Sequence, residues 1–340
     1  MGGISSEHPV SLVSGVGMLK NLDPSRYVGF PILISKDNRW IWPSAASASS
    51  GAQTESITLE SSQQAEAFLA DPPLEWITAR FPDFNPFPRC DIMLIGLHGV
   101  GGEDGRLQGF LDLAGQAYTG SGALGSALAM DKIAAKEIYR AVGIPTGRYR
   151  VLSRAEYAGA RPGLEKEFGY PMVVKTPTGG SSIGMGIAKD AASLDALIAS
   201  LGPTTDRLLV EEFLAGREGT CGYLEGFSPL SPTEIRPLKD GFFSFDAKYK
   251  AGGSEEITPA TFPPDILARM QSLAATAHHA LRLSVYSRTD FIFTPDGVFA
   301  LETNNLPGFT PTSLLPQAAA HSGISYGELL TRIIGESLRK

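Results

Sequence analysis

The amino-acid sequence predicts an α/β protein of two or three modules, and three observations carry the prediction. The chain has 340 residues, more than one hydrophobic core usually organises. Apolar strand-like runs end in glycine-rich loops that lead into helical periodicity, as Asp91-Ile-Met-Leu-Ile-Gly-Leu97 leads into His98-Gly-Val-Gly-Gly-Glu-Asp-Gly105. The stretch Ser287 to Asn304 reads as a β-hairpin around Pro295-Asp-Gly297.

Taken in order, Val10 to Leu22 has apolar residues at helical spacing, and Tyr27 to Ser35 is β-rich: helix, turn, strand. Ser44 to Ser62 is rich in small and polar residues without periodicity and reads as an exposed loop. Asp91 to Leu97 reads as a buried strand, followed by a helix over Arg106 to Ala114. A boundary falls near Gly120-Ser-Gly122, before a helix over Asp131 to Val142. A second module follows, with strands at Arg148 to Leu152, Pro171 to Lys175, Gly184 to Ala188 and Arg207 to Leu214, and a helix at Ala191 to Leu201. That pattern is an antiparallel α+β unit. The remainder adds strands, a helix from Pro264 to Leu283, the hairpin and a terminal helix. The expected division is 1–120, 121–212 and 213–340.

Composition narrows the partners. A formal net charge of −7 argues against a phosphate backbone or an anionic membrane, since both reward clustered Lys and Arg, and leaves small molecules. Cys90 and Cys221 are too few for a disulfide framework or a four-thiolate zinc site. The start has neither a basic nor an apolar signal region, and no apolar run approaches the roughly 20 residues that span a bilayer. The expected compartment is the cytoplasm.

The hairpin carries the sharpest chemistry. With a three-residue loop, Thr294 faces Val298, and the register runs back to Asp290 opposite Glu302 and Arg288 opposite Asn304. These four then share one face and Phe291, Phe293, Phe299 and Leu301 the other. Two carboxylates opposed across a ladder repel unless a cation lies between them. Two carboxylates and an amide oxygen suit a hard cation such as Mg²⁺. Lys175 ends an apolar strand and precedes Thr-Pro-Thr-Gly-Gly-Ser-Ser-Ile-Gly184, a loop able to fold over phosphates with the lysine as counter-charge.

These segments resemble the ATP-grasp fold, and the fuller set resembles the D-alanine–D-alanine ligase family. The similar motifs run from Glu7 to Tyr326: Glu7-His-Pro-Val-Ser-Leu-Val-Ser-Gly15, Leu97 to Gly109, Tyr118-Thr-Gly-Ser-Gly122, Ala129-Met-Asp-Lys132, Gly180-Ser-Ser-Ile-Gly184, Asp246-Ala-Lys-Tyr249 and Glu302-Thr-Asn-Asn-Leu-Pro-Gly-Phe-Thr310. The resemblance implies an N-terminal parallel-sheet domain followed by central and C-terminal α+β domains that sandwich ATP.

It also implies roles. Lys132, Lys175, Ser182 and Lys248 would serve the ATP phosphates, Glu211, Glu212, Phe213 and Leu214 the adenine, and Glu218 the ribose. Asp290, Glu302 and Asn304 would hold two Mg²⁺ (or Mn²⁺) ions, and Arg288 would stabilise charge on the acyl phosphate intermediate. Glu7 would pair with the ammonium of the first D-alanine beside His98, and with Ser181 and Tyr249 would close a mobile loop. Ser313 and Leu314 would receive the second carboxylate.

The implied reaction joins two D-alanines through an acyl phosphate, releasing ADP and phosphate, for peptidoglycan precursors. The alternatives are a related dipeptide ligase with other amino-acid specificity and a non-catalytic ATP sensor. A homodimer and activation by a monovalent cation such as K⁺ are further implications. Relatives start with a strand running into the first Gly-Gly, whereas here Met1 directly precedes Gly2-Gly3, so a start upstream is expected.

Overall fold

The structure, a computed structural model, describes residues 1–44, 59–80, 90–180, 184–227, 229–238, 253–310 and 312–340. Three helices of the middle segment show how local chemistry starts its elements. Asp131 caps α5 (Lys132–Ala141) by accepting from the N–H groups of Ile133 and Ala134, with α4 (Ala123–Met130) immediately before it. Capping boxes open α6 (Arg154–Phe168) through Ser153 and Glu156 and α7 (Ala191–Leu201) through Asp190 and Ser193.

Helices α6 and α7 cover a four-stranded antiparallel sheet in the order β4-β7-β5-β6, made of β4 (Tyr149–Leu152), β5 (Met172–Lys175), β6 (Met185–Ala188) and β7 (Leu208–Glu212). Its core holds Met172, Val174, Leu194, Leu208 and Val210. Side chains buried this fully stabilise by about 1.5–3 kcal/mol each.

A second antiparallel sheet, in the order β10-β9-β8-β11-β12, is built from β8 (Arg217–Leu224), β9 (Thr233–Pro237), β10 (Ser254–Ile257), β11 (Tyr286–Thr294) and β12 (Gly297–Asn304). Helix α8 (Pro264–Ala280) packs on one face, together with α5, around Phe291, Ala300, Met270 and Tyr139. The chain closes with α9 (Leu314–His321) and α10 (Tyr326–Ser337), which share a core with the N-terminal part.

The N-terminal part contains α1 (His8–Lys20), β1 (Leu33–Ile34), β2 (Arg39–Pro43), α2 (Ser62–Ala70), β3 (Trp76–Arg80) and α3 (Arg106–Leu113). Here the structure corrects two expectations. The strand expected over Tyr27 to Ser35 shrinks to Leu33 and Ile34; Pro31 has no N–H to give a ladder, and the Met1 amino group takes the Ile32 carbonyl at 2.9 Å. The expected parallel sheet is reduced to two single parallel bridges, Gly2 with Ile34 and Met93 with Tyr118, while the regular sheet, β1-β2-β3, is antiparallel.

Residues 91–97 run extended and mostly buried but form no ladder. The Thr119 hydroxyl takes the Ile95 N–H at 3.1 Å, where a continued strand would offer a carbonyl. On the other side, Ile32, Ile34, Met93 and Ile95 line a common hollow of about 640 Å³.

The hairpin β11–β12 has the expected facing pairs, Asp290 with Glu302 and Arg288 with Asn304, for an unexpected reason. Its tip is tighter than expected, with Thr294 opposite Gly297 and Phe293 opposite Val298, and a β-bulge between Asp290 and Phe291 restores the offset. The apolar face is therefore made by Phe291, Phe293, Val298 and Ala300 in the core. Leu301, expected there, instead lines a cleft with Ile292, Asp290 and Glu302. Phe299 likewise stands outside that core, opposite Ile292.

Candidate active site

Two compartments meet where the two large sheets face each other. The larger, about 490 Å³, is lined by Glu7, His98, Arg288, Asn304, Ser313 and Leu314 among others. The smaller cleft, about 130 Å³, is lined by Lys175, Glu211, Phe213, Leu214, Glu218 and Asp290 among others. Lys132, Gly179, Gly180 and Glu302 line both and so form their common wall.

At that wall, Lys132, in the first turn of α5, donates to the Gly179 carbonyl at 2.7 Å and lies 3.4 Å from Glu302 Oε2. Arg288 grips Asp290 through two bonds, Nε to Oδ1 at 2.9 Å and Nη2 to Oδ2 at 3.0 Å, and Thr220 donates to Oδ1 at 2.6 Å. The guanidinium thus supplies the positive charge that opposed carboxylates require. Asn304 Oδ1 accepts from the Leu306 N–H at 2.9 Å and keeps a second lone pair. Two carboxylates and an amide oxygen on one face fit a hard divalent cation once Arg288 turns from Asp290.

In the smaller cleft, Lys175 reaches Glu211 Oε2 at 3.3 Å, and Glu211 is 3% exposed. Burial pushes its carboxyl up, but Lys136 and then Lys175 hold it below the usual range, so it is a buried carboxylate. Glu212 is engaged elsewhere: it accepts from Arg148 N and Nε, both at 2.7 Å.

In the larger compartment Glu7 is buried against two glycines. A Cβ on Gly99 would stand 2.6 Å from Glu7 Oε2, and one on Gly180 2.8 Å, so both loops approach the carboxylate closely, and Gly99, at φ +73°, also needs the left-handed freedom of glycine. His98 is held by Ser14 Oγ at 2.8 Å and the Leu306 carbonyl at 3.1 Å. Ser313 stands at the N-terminus of α9, which borders the compartment, and its Oγ makes no bond to the helix but accepts from the Thr310 N–H at 3.0 Å.

The structure thus brings Glu7, His98, Lys132, Arg288, Glu302, Asn304, Ser313 and Leu314 to one compartment, and Lys175, Glu211, Glu212, Phe213, Leu214, Glu218 and Asp290 to its neighbour. Ser181, Ser182, Lys248 and Tyr249 lie outside the described residues.

Sequence reasoning missed three lining or supporting residues. Glu256 on β10 enters the larger compartment; burial raises its carboxyl, against a bond from Gln317 Nε2 at 2.9 Å and the nearby Arg288. Glu103, inside a quoted motif but given no role, accepts from the Gly99 N–H at 2.9 Å. Lys136, one turn after Lys132, is buried and lies 3.4 Å from Glu211 Oε2. Nothing in a lone lysine on a helix announces that.

Comparison with known proteins matches both ends of the chain. Residues 1–121 match the family model described as D-ala D-ala ligase N-terminus, and residues 138–335 the one described as D-ala D-ala ligase C-terminus. A D-alanine–D-alanine ligase of Leptospira biflexa is 37% identical, with 99% of this chain and 97% of the relative covered. One of Agrobacterium fabrum is 43% identical over 73% of this chain and 81% of its own. Among solved structures, VanG D-Ala:D-Ser ligase from Enterococcus faecalis has a TM-score of 0.82 at 28% identity, covering 99% of this chain and 97% of its own. D-alanine–D-alanine ligase from Bacillus anthracis complexed with ATP has a TM-score of 0.72 at 30% identity, covering 100% and 96%. With both halves matched and relatives aligned along nearly its whole length, the chain belongs to the D-alanine–D-alanine ligase family of ATP-dependent carboxylate–amine ligases, which have the ATP-grasp fold.

Proposed function

We propose that the protein joins two D-alanines into D-alanyl-D-alanine, converting ATP to ADP and phosphate, as a step toward peptidoglycan precursors. The observation that carries the reading is the common wall of Lys132 and Glu302 between a base-and-phosphate cleft and an amino-acid compartment. In that arrangement Glu211, Glu212, Phe213 and Leu214 border the adenine, Glu218 the ribose, and Lys132 and Lys175 the phosphates. Ser182 and Lys248 assist them.

The first D-alanine sits with its ammonium at Glu7, beside His98, and its carboxylate toward the wall. A carboxylate oxygen attacks the γ-phosphorus, the bond to the β-phosphate oxygen breaks, and ADP and an acyl phosphate result. Asp290, Glu302 and Asn304 hold two Mg²⁺ (or Mn²⁺) ions, which offset phosphate charge when bound. Arg288 releases Asp290 and turns to the developing charge. The second D-alanine places its carboxylate on Ser313 and the Leu314 N–H; its amine nitrogen attacks the acyl carbon, loses a proton, and phosphate departs. Ser181 and Tyr249 link to Glu7 when the loop closes and excludes water from the acyl phosphate. The protein acts as a cytoplasmic homodimer and responds to a monovalent cation such as K⁺.

Phosphate release with ATP, Mg²⁺ and D-alanine alone tests the reading, followed by a panel of D- and L-amino acids that includes D-serine as second substrate. Turnover with D-alanine alone is expected. Turnover only with another pair would replace the substrate assignment, and none with any pair would refute the reaction.

A further inference from the structure

We propose that Lys136 is a positioning residue for nucleobase recognition: it fixes Glu211 so that Oε1 accepts a hydrogen bond from the 6-amino group of the purine. The proposal rests on reading the smaller cleft as the nucleotide site. Lys136 is 1% exposed, and its Nζ donates to the Thr146 hydroxyl at 2.7 Å, faces the Tyr149 ring at 5.6 Å and lies 3.4 Å from Glu211 Oε2. Thr146 in turn donates to the Ala300 carbonyl at 2.8 Å, which ties the lysine to the strand that carries Glu302.

The two oxygens of Glu211 are unequal. Oε2 receives both Lys136 and Lys175, whereas Oε1 is buried without a hydrogen-bond partner among the described residues. A buried acceptor left unpaired is destabilising, so a donor is wanted at this point of the cleft. The residue lines that cleft with Phe213 and Leu214, as a base site requires. Lys175 points the same way: once a phosphate draws it from Glu211, Lys136 is the nearby cation that keeps the carboxylate ionised and in place. An ionised carboxylate accepts from a 6-amino group and repels a 6-keto oxygen.

Calorimetric binding of ADP and IDP in Mg²⁺ tests this without turnover. The wild-type protein should prefer ADP by at least about 30-fold, as sites built for a polar group reject analogues lacking it. In Lys136→Met the carboxyl can take up a proton and donate to the keto oxygen, so ADP affinity should fall about tenfold or more with IDP little changed. In turnover, the loss should appear in the KM for ATP more than in kcat or in the KM for D-alanine. A Lys136 that only supports the fold would lower the unfolding temperature and weaken ADP and IDP by one common factor, which overturns the proposal. Should Lys136→Met fail to fold, Lys136→Met with Glu211→Gln removes both charges together and should fold. Its preference for ADP should be lost, and a preference equal to the wild type's overturns the proposal. A wild-type protein that binds ADP and IDP equally refutes the base site itself. A wild-type preference that survives in the Lys136 variants leaves that site standing and removes Lys136 from it.

Discussion

Glu302→Gln separates catalysis from stability. The carboxylate lies 3.4 Å from Lys132 Nζ and is one-third exposed. At that distance the attraction is about 1 kcal/mol in a water-like dielectric and about 5 kcal/mol at an effective constant near 20. Solvent screening and the cost of ordering two side chains reduce the net contribution to below about 1 kcal/mol. The variant should therefore unfold within about 2 °C of the wild type. Turnover is another matter, because in the proposed mechanism the substitution removes one of two carboxylates that hold the metal ions at the transferring phosphoryl group. Metal-assisted stabilisation is worth several kcal/mol, and at about 1.4 kcal/mol per decade the rate should fall at least about 10³-fold. Phosphate release at saturating D-alanine and Mg²⁺, beside a thermal melt, measures both. A rate within tenfold of the wild type would refute the metal role of the hairpin face; a melt lowered by 10 °C would show that the side chain chiefly supports the fold.

Two further outcomes follow from buried polar groups on or packed against the same sheet. Glu234, 1% exposed, is pushed up by burial but held down to about 2 by hydrogen bonds from Arg236, Arg217 and Thr261. Its contribution is complete above the unfolded value of 4.5 and lost as pH falls toward about 2. Discounted for its half-exposed arginines it is about 2 kcal/mol, so Glu234→Gln should lower the urea midpoint at pH 7 and flatten its fall below pH 4.5, and an unchanged slope would contradict the assignment. Tyr139→Phe removes the 2.6 Å bond to Thr303 Oγ1, which also meets Thr289 Oγ1 at 2.9 Å behind the carboxylate face. The cost should be about 1–2 kcal/mol in chemical unfolding, and a neutral result would mean that the threonine pair satisfies itself.

Legibility in the sequence followed the range of the physics. The start of α5 at Asp131 and Lys175 ending β5 depend on neighbours a few residues away, and both were readable. The facing of Asp290 and Glu302 was also readable, although its route through a tight tip and a bulge was not. A bulge trades one local ladder bond against packing, and here the packing of Phe291 and Ala300 on α8 decided. Residues 91–97 carry strand composition, but a strand exists only where a partner presents its backbone, and composition cannot report that.

By itself, then, the sequence determined the α/β class, the family, and which residues carry charge, amide or hydroxyl at the spacing a ligase needs, because periodicity and motif order are local properties. The tertiary structure alone decided that Glu7 lies against Gly99 and Gly180, that Arg288 grips Asp290, that Glu256 enters the larger compartment and that Lys136 stands behind Glu211. Most of these contacts join segments far apart in the chain, and a charge takes its partner from whichever group packing places within reach, at an energy set by the water that packing excludes.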